Sequence, residues 1–151
     1  EIIALLRRER PDLELRVAGP DPQEVQHLFA GWQGGYRLLG WRSDPEYLHQ
    51  IDVLLHPARA EPYGMVIAEA MAAQASVVVS DVCGAAARVT AEAGAVVPLD
   101  APLEQWVSAV RKQLQRALAP PRYEHGWRDV AQEYVKILEG ALECIKGEIN
   151  E

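Results

Sequence analysis

Ile2, Ile3, Leu5 and Leu6 share one broad face of a short helix whose last turn carries Arg7, Arg8 and Arg10, as suits the negative end of a helix dipole. Pro11 stops it. From Leu13 to Ala18 the pattern alternates and then turns apolar up to Gly19-Pro20, which predicts a strand entering a tight loop. Asp21-Pro22 has the form of an N-cap followed by proline at the first helical position, predicting a helix to about Ala30. Tyr36 to Leu39 reads as a strand closed by Gly40, Ser43 to Gln50 as a short helix and Val53 to Leu55 as an apolar strand. Beyond the loop His56 to Tyr63, a helix is predicted from Gly64 or Met65 to about Ala73, then the strand Val77-Val78-Val79, a weak helix over Ala85 to Glu92 and a strand Ala95 to Val97.

Five short apolar strands separated by helices need a parallel sheet with right-handed crossovers. The expected class is therefore α/β, a Rossmann-like parallel sheet of about five strands flanked by helices, with a helical C-terminal extension. That extension comes from two stripes at helical spacing, Leu103 to Leu118 around Trp106 and Trp127 to Ile145 around Tyr134, with Pro120-Pro121 between them. The Trp106 and Trp127 stripes are both expected in the core, with part of the Trp127 to Ile145 face left exposed.

The chain has 151 residues, one domain's worth, so residues 1–151 are read as a single domain. With 49% apolar and 25% charged residues, a disordered or fibrous chain is excluded. A net charge of −7 spread over both halves makes nucleic acid an unsuitable partner. Cys83 and Cys144 lie far apart without a CxxC partner, so neither a zinc ribbon nor a disulfide framework is read, and a reducing cytoplasmic setting is expected. No apolar run reaches the roughly 18 residues of a membrane helix. His27, His49 and His125 have no metal-ligand spacing and are expected on the surface or in loops. The opening Glu1, leading straight into a helical pattern, suggests a piece of something longer.

In an open parallel sheet, ligands sit beyond the carboxyl ends of the strands, so the loops at Gly19, Gly40, His56 to Tyr63 and Ser80 to Gly84 share one rim. The richest leads from His56 through Glu61 and Gly64 into a helix whose first amides lack intrahelical partners and so suit an anion. Gly64 would let a phosphate or sugar come close to the backbone, and Glu61 would offer a fixed acceptor to hydroxyl groups. The plainer reading is that a Glu before a helix N-terminus is only favourable electrostatics, and that Glu69 faces solvent. Against it, Glu69 is a lone acid within Met65 to Ala73, otherwise apolar or small, and such an acid needs a buried partner or a ligand cavity.

The stretch Glu61-Pro62-Tyr63-Gly64-Met65-Val66-Ile67-Ala68-Glu69 resembles the E-x7-E signature of retaining glycosyltransferases with the GT-B fold. Leu15 to Gly19, Leu38 to Gly40, Asp52 to Pro57 and Val77 to Gly84 resemble successive blocks of that family's donor-binding half, so that the resemblance covers about residues 1 to 145. Leu54 to Ala58 and Asp81 to Gly84 further resemble the lipopolysaccharide-core glucosyltransferases. The resemblance implies that Glu61 contacts hydroxyls of the donor sugar and is the catalytic position. Tyr63 and the amides of Gly64, Met65 and Val66 would hold sugar and diphosphate oxygens, Glu69 the ribose, and Trp41 and Arg42 the base. Gly19 and His56 stand on the rim, where His56 either contacts the donor or fixes the loop backbone. It implies a nucleotide-sugar substrate, most commonly a UDP-sugar, with no cofactor and no obligatory metal.

The sequence also departs from the family. No Arg and Lys clamp for the diphosphate precedes the first helix, and the acceptor-binding half is not in these residues. Gln74-Ala75-Ser76 replaces a usual Gly-Leu-Pro, Cys83 the first Gly of a pair, and Ala87 a common Glu. A saccharide or glycolipid acceptor, and any peripheral membrane contact, would belong to that other half. Two other readings remain, a non-catalytic nucleotide-binding or interaction module and a nucleotide-sugar epimerase-like domain.

Overall fold

A computed structural model describes residues 1–149, leaving the side chains of Cys144 and Ile145 outside the described residues. Its regular helices are α1 (Ile2–Glu9), α2 (Pro22–Val25), α3 (Met65–Ala72), α4 (Leu103–Leu114) and α5 (Trp127–Ile149). The strands are β1 (Leu15–Ala18), β2 (Tyr36–Gly40), β3 (Val53–His56), β4 (Ser76–Ser80) and β5 (Gly94–Val97). Among the described residues all strand pairings are parallel, and the five strands form two sheets, β1-β2 and β3-β4-β5. The α/β Rossmann-like class expected from the pattern is thus found, with the strands divided into two sheets. Across that division Arg16 on β1 donates to the carbonyl oxygen of Gln50, in the turn before β3, at 3.1 Å.

β4 is the centre of the molecule, with all five residues buried. Its alternation sends Val77 and Val79 to one face, with Ile67, Ala70 and Met71 of α3, and Val78 to the other, with Trp106, Val107 and Val110 of α4 and Leu6 of α1. A strand buried on both faces has no use for polar side chains along its length; its two serines stand at its ends.

Several elements are tighter or shorter than predicted. The helix expected to reach Ala30 is one α-turn, capped by the Asp21 carboxylate accepting from the Gln23 amide at 2.8 Å, continued by a 3₁₀ turn over Gln26–Phe29. Ser43 to Gln50 and Ala85 to Glu92 also become 3₁₀ turns, at Pro45–Gln50 and Gly84–Arg88. Short, weakly amphipathic segments cannot sustain an α-helix, and tertiary contacts tighten them instead. Leu118, counted in the Trp106 stripe, lies beyond α4 and is 81% exposed.

The exposure expected of part of the Trp127 to Ile145 face extends to Trp127 itself. This side chain is 88% exposed, and Tyr134, Ile137 and Leu138 along the same helix are exposed too. The stripe is real as a helical pattern, but α5 turns it to solvent within these residues. No helix among the described residues is long and apolar enough to cross a membrane.

Candidate functional site

The carboxyl ends of β3 and β4 create the site. His56 ends β3 opposite Val79, and the loop that follows is bound to the segment after β4. Glu61 forms an isolated parallel bridge with Cys83, the Gly84 amide donates to the Glu61 carbonyl oxygen at 3.3 Å, and the Ala85 amide donates to that of Tyr63 at 2.7 Å. Below them Ser80, fully buried, donates from Oγ to the Ala58 carbonyl oxygen at 2.6 Å and lies 3.3 Å from Cys83 Sγ. Two strand-end loops are thereby locked to each other before any ligand arrives.

Between them lies an open cleft of about 630 Å³, lined by Arg59, Glu61, Pro62, Asp81, Gly84 and Ala87 among others. Gly84 is required for the close approach, because a Cβ there would run into the Pro62 carbonyl oxygen. Asp81 is held at the cleft by the Leu99 amide, which donates to its Oδ1 at 3.0 Å.

Gly64 precedes α3 as its N-cap, with φ +88° and no side-chain capping bond. This left-handed geometry is natural for glycine and costly for other residues, and a Cβ would stand 2.8 Å from Ile67 Cδ1. The N-terminal amides of α3 are therefore left without a capping side chain, and the first turn carries no acid of its own. Glu61, half-buried, supplies the nearby carboxylate. Its Oε1 accepts from the Tyr63 amide at 3.3 Å, and its Oε2 stands 4.0 Å from His56 Nε2. Tyr63 and Met65 present exposed side chains at this mouth, while Gly64 is buried and Val66 half-buried.

Glu69 is placed differently from Glu61. It lies exposed on α3, outside the residues that line the cleft, so the buried partner expected for a lone acid in an apolar segment is not what it has. Its charge instead reaches Tyr47 of the Pro45–Gln50 turn, whose phenol is pushed above its ordinary value by burial first and by Glu69 second. Gly19 and Gly40, at the ends of β1 and β2, form a second part of the rim, joined by the Gly19 amide donating to the Gly40 carbonyl oxygen at 2.9 Å. Next to them Trp41 is 83% exposed and Arg42 donates to the Asp44 carboxylate at 2.8 Å. That partner holds the Asp44 carboxyl below its usual range, mainly through the hydrogen bond.

The structure thus gathers His56, Glu61, Tyr63, Gly64 and the start of α3 into one constellation, and sets Gly19, Trp41 and Arg42 in another at the end of the smaller sheet. Ser80 as the loop anchor, and Arg59 and Asp81 as cleft residues, are not among the positions expected from the sequence. For Ser80 the signal existed, a hydroxyl ending an otherwise apolar strand; Asp81 stood in the stretch Asp81 to Gly84 noted for its resemblance, and Arg59 carried no signal beyond its place on the rim. Cys83 is buried in the core, consistent with a packing residue. His27 and His49 are exposed, and His125 sits half-buried ahead of α5 against Tyr123 and Glu133. Among the described residues no three His, Cys, Asp or Glu side chains are grouped so as to hold a metal ion.

Residues 1–116 match the family model described as glycosyl transferases group 1. Among solved structures, that of WaaG, a glycosyltransferase involved in lipopolysaccharide biosynthesis, is similar with a TM-score of 0.61 and 30% identity, over 69% of this chain and 30% of its own. HepE from Anabaena in complex with UDP is similar with a TM-score of 0.56 and 24% identity, over 70% of this chain and 33% of its own. The same protein with UDP and glucose gives a TM-score of 0.56 and 21% identity, over 68% and 31%. At those identities HepE shows the fold alone. The chain spans about one third of the length of these structures. The comparison with curated proteins returns no match.

Proposed function

Since the chain belongs to the glycosyl transferases group 1 family, we propose that it is the donor-binding domain of a retaining GT-B glycosyltransferase. The donor in this reading is a UDP-sugar such as UDP-glucose, and the hexose passes to a saccharide or lipopolysaccharide-type acceptor held by a part of the protein outside these residues. The observation that carries the reading is the Glu61 carboxylate fixed beside the uncapped N-terminus of α3, at the mouth of an open cleft. An acceptor-only group and a row of amide donors, side by side, suit a molecule that joins hydroxyls to phosphates. The lipopolysaccharide role of WaaG supports the choice of acceptor class.

In this reading Glu61 takes hydroxyls of the sugar, Tyr63 and the amides of Gly64, Met65 and Val66 take sugar and diphosphate oxygens, Glu69 takes the ribose, and Trp41 with Arg42 takes the base. Gly19 and His56 stand on the rim. The bond from the sugar's anomeric carbon to the diphosphate breaks, and a bond to the acceptor oxygen forms on the same face. The acceptor proton leaves with the diphosphate. Electrostatic stabilisation of that leaving group by the helix N-terminus supplies part of what a metal would otherwise provide, so the proposal includes no metal or cofactor. The setting proposed is cytoplasmic.

The test is a proton–nitrogen NMR titration of this chain with UDP, UDP-glucose, ADP and GDP. Selective UDP shifts at Trp41, at Gly64 to Val66 and at Glu69, with further shifts near Glu61 only when glucose is attached, are the expected result. Equal shifts with all three bases, or shifts confined elsewhere, would overturn the assignment of donor and site.

A further inference from the structure

We propose that His56 is a positioning residue for Glu61, holding the carboxylate oxygen that the Tyr63 amide does not. His56 Nε2 is buried and has no hydrogen-bond partner among the described residues, and the Glu61 Oε2 atom lies 4.0 Å from it. A buried ring nitrogen left alone is unfavourable, and the approach needed to close this gap to a hydrogen bond of about 3 Å is a small turn of the Glu61 side chain. The other Glu61 oxygen is already engaged by the Tyr63 amide. With both oxygens held, the carboxylate has one orientation toward the cleft rather than a family of rotamers, which is what a sugar-positioning group needs.

The backbone makes the pairing durable. His56 is the last residue of β3, in register with Val79 of the buried central strand, and Glu61 is bridged to Cys83 just beyond that same strand. The ring and the carboxylate therefore hang from two points fixed to β4. The other charged side chains on the cleft are Arg59 and Asp81, and Asp81 is turned to the Leu99 amide. This proposal deepens the reading of Glu61 as the sugar contact and rests on it for its functional consequence, but the contact itself can be tested without any ligand.

The first measurement is a long-range proton–nitrogen spectrum of the imidazole rings in the ligand-free chain and in Glu61→Ala. His56 is expected to carry its proton on Nε2, and both its ring nitrogens are expected to move in Glu61→Ala toward the shifts of exposed His27 and His49. His125, which faces Glu133 instead at 3.8 Å, serves as the unmoved control. His56 nitrogens that do not shift, in a variant whose amide spectrum remains folded, would overturn the proposal. The second measurement compares UDP-glucose with UDP. His56→Ala is expected to reduce the preference for the sugar-bearing ligand severalfold, and His56→Gln, whose side-chain amide can donate from nearly the same point, to restore most of it. Equal preference in His56→Ala and wild type would overturn the positioning role. If wild type binds neither ligand, the donor reading fails, while the ring spectrum still decides the contact.

Discussion

The amide of Ala85 donates to the carbonyl oxygen of Tyr63 at 2.7 Å, so the segment after β4 fixes the very turn that leads into α3. One residue earlier, Gly84 lets the two backbones meet, since a Cβ there would strike the Pro62 carbonyl oxygen. Gly84→Ala is expected to destabilise the fold by about 1–3 kcal/mol, the usual penalty for forced overpacking. Chemical denaturation would show it as a lower midpoint with an unchanged slope. A variant as stable as wild type would mean that the loop yields at no cost, and the locked geometry of the cleft would lose its support.

The two acids of the E-x7-E stretch are expected to separate by ligand. Loss of a charge-assisted hydrogen bond to a ribose in Glu69→Ala should weaken UDP binding by about 1–3 kcal/mol. Glu61→Ala should weaken UDP-glucose more than it weakens UDP. Isothermal titration of both variants with both ligands distinguishes the two roles, and identical losses would contradict them.

Tyr47 and Glu69 form a second measurable relationship. The Tyr47 phenol is raised from its ordinary 10.0 by burial and, next, by the negative charge of Glu69. Glu69→Gln removes that second cause, so the Tyr47 midpoint should fall while remaining above the ordinary value because burial persists. Carbon NMR of the Tyr47 ring across alkaline pH reads this directly, and an unmoved midpoint would place Glu69 farther from the phenol than the fold does.

At the other end of the chain, Arg88 donates to both oxygens of Glu133 at 3.0 and 2.9 Å, tying the Gly84–Arg88 turn to α5. That hydrogen bond, ahead of every other cause, lowers the Glu133 carboxyl from its ordinary 4.5. A lowered folded value means that the pair's stabilisation is present above the ordinary value and is lost as pH falls through the folded one. The Glu133 carboxyl carbon should therefore titrate below 4.5, and Arg88→Ala should return it toward that value. An identical midpoint in both proteins would show that the ion pair is not maintained in solution.

The order of residues along the chain is enough to read the alternation of strands and helices, the parallel class, the loop after β3 as the richest part of the rim, and Glu61 and Gly64 as its notable residues. Each of these follows from local rules: periodicity, proline and glycine placement, and the polarity of a single position within an apolar run. The resemblance carried by Glu61 to Glu69 was equally legible, because that stretch is contiguous in the chain.

Tertiary structure alone decided the rest. Whether the apolar stripe of α5 was buried depended on what α5 packs against, and Trp127 proves exposed because no described element covers it. The division of the strands into two sheets is a matter of which strand edges pair, and apolar strands carry no mark of their neighbours. The bridge from Glu61 to Cys83, the anchoring of Ala58 by Ser80 and the facing of Glu61 by His56 join residues from different loops. Hydrophobic pattern says which residues leave water, but it is the packing of β4 between two helical layers that says which polar atoms then meet.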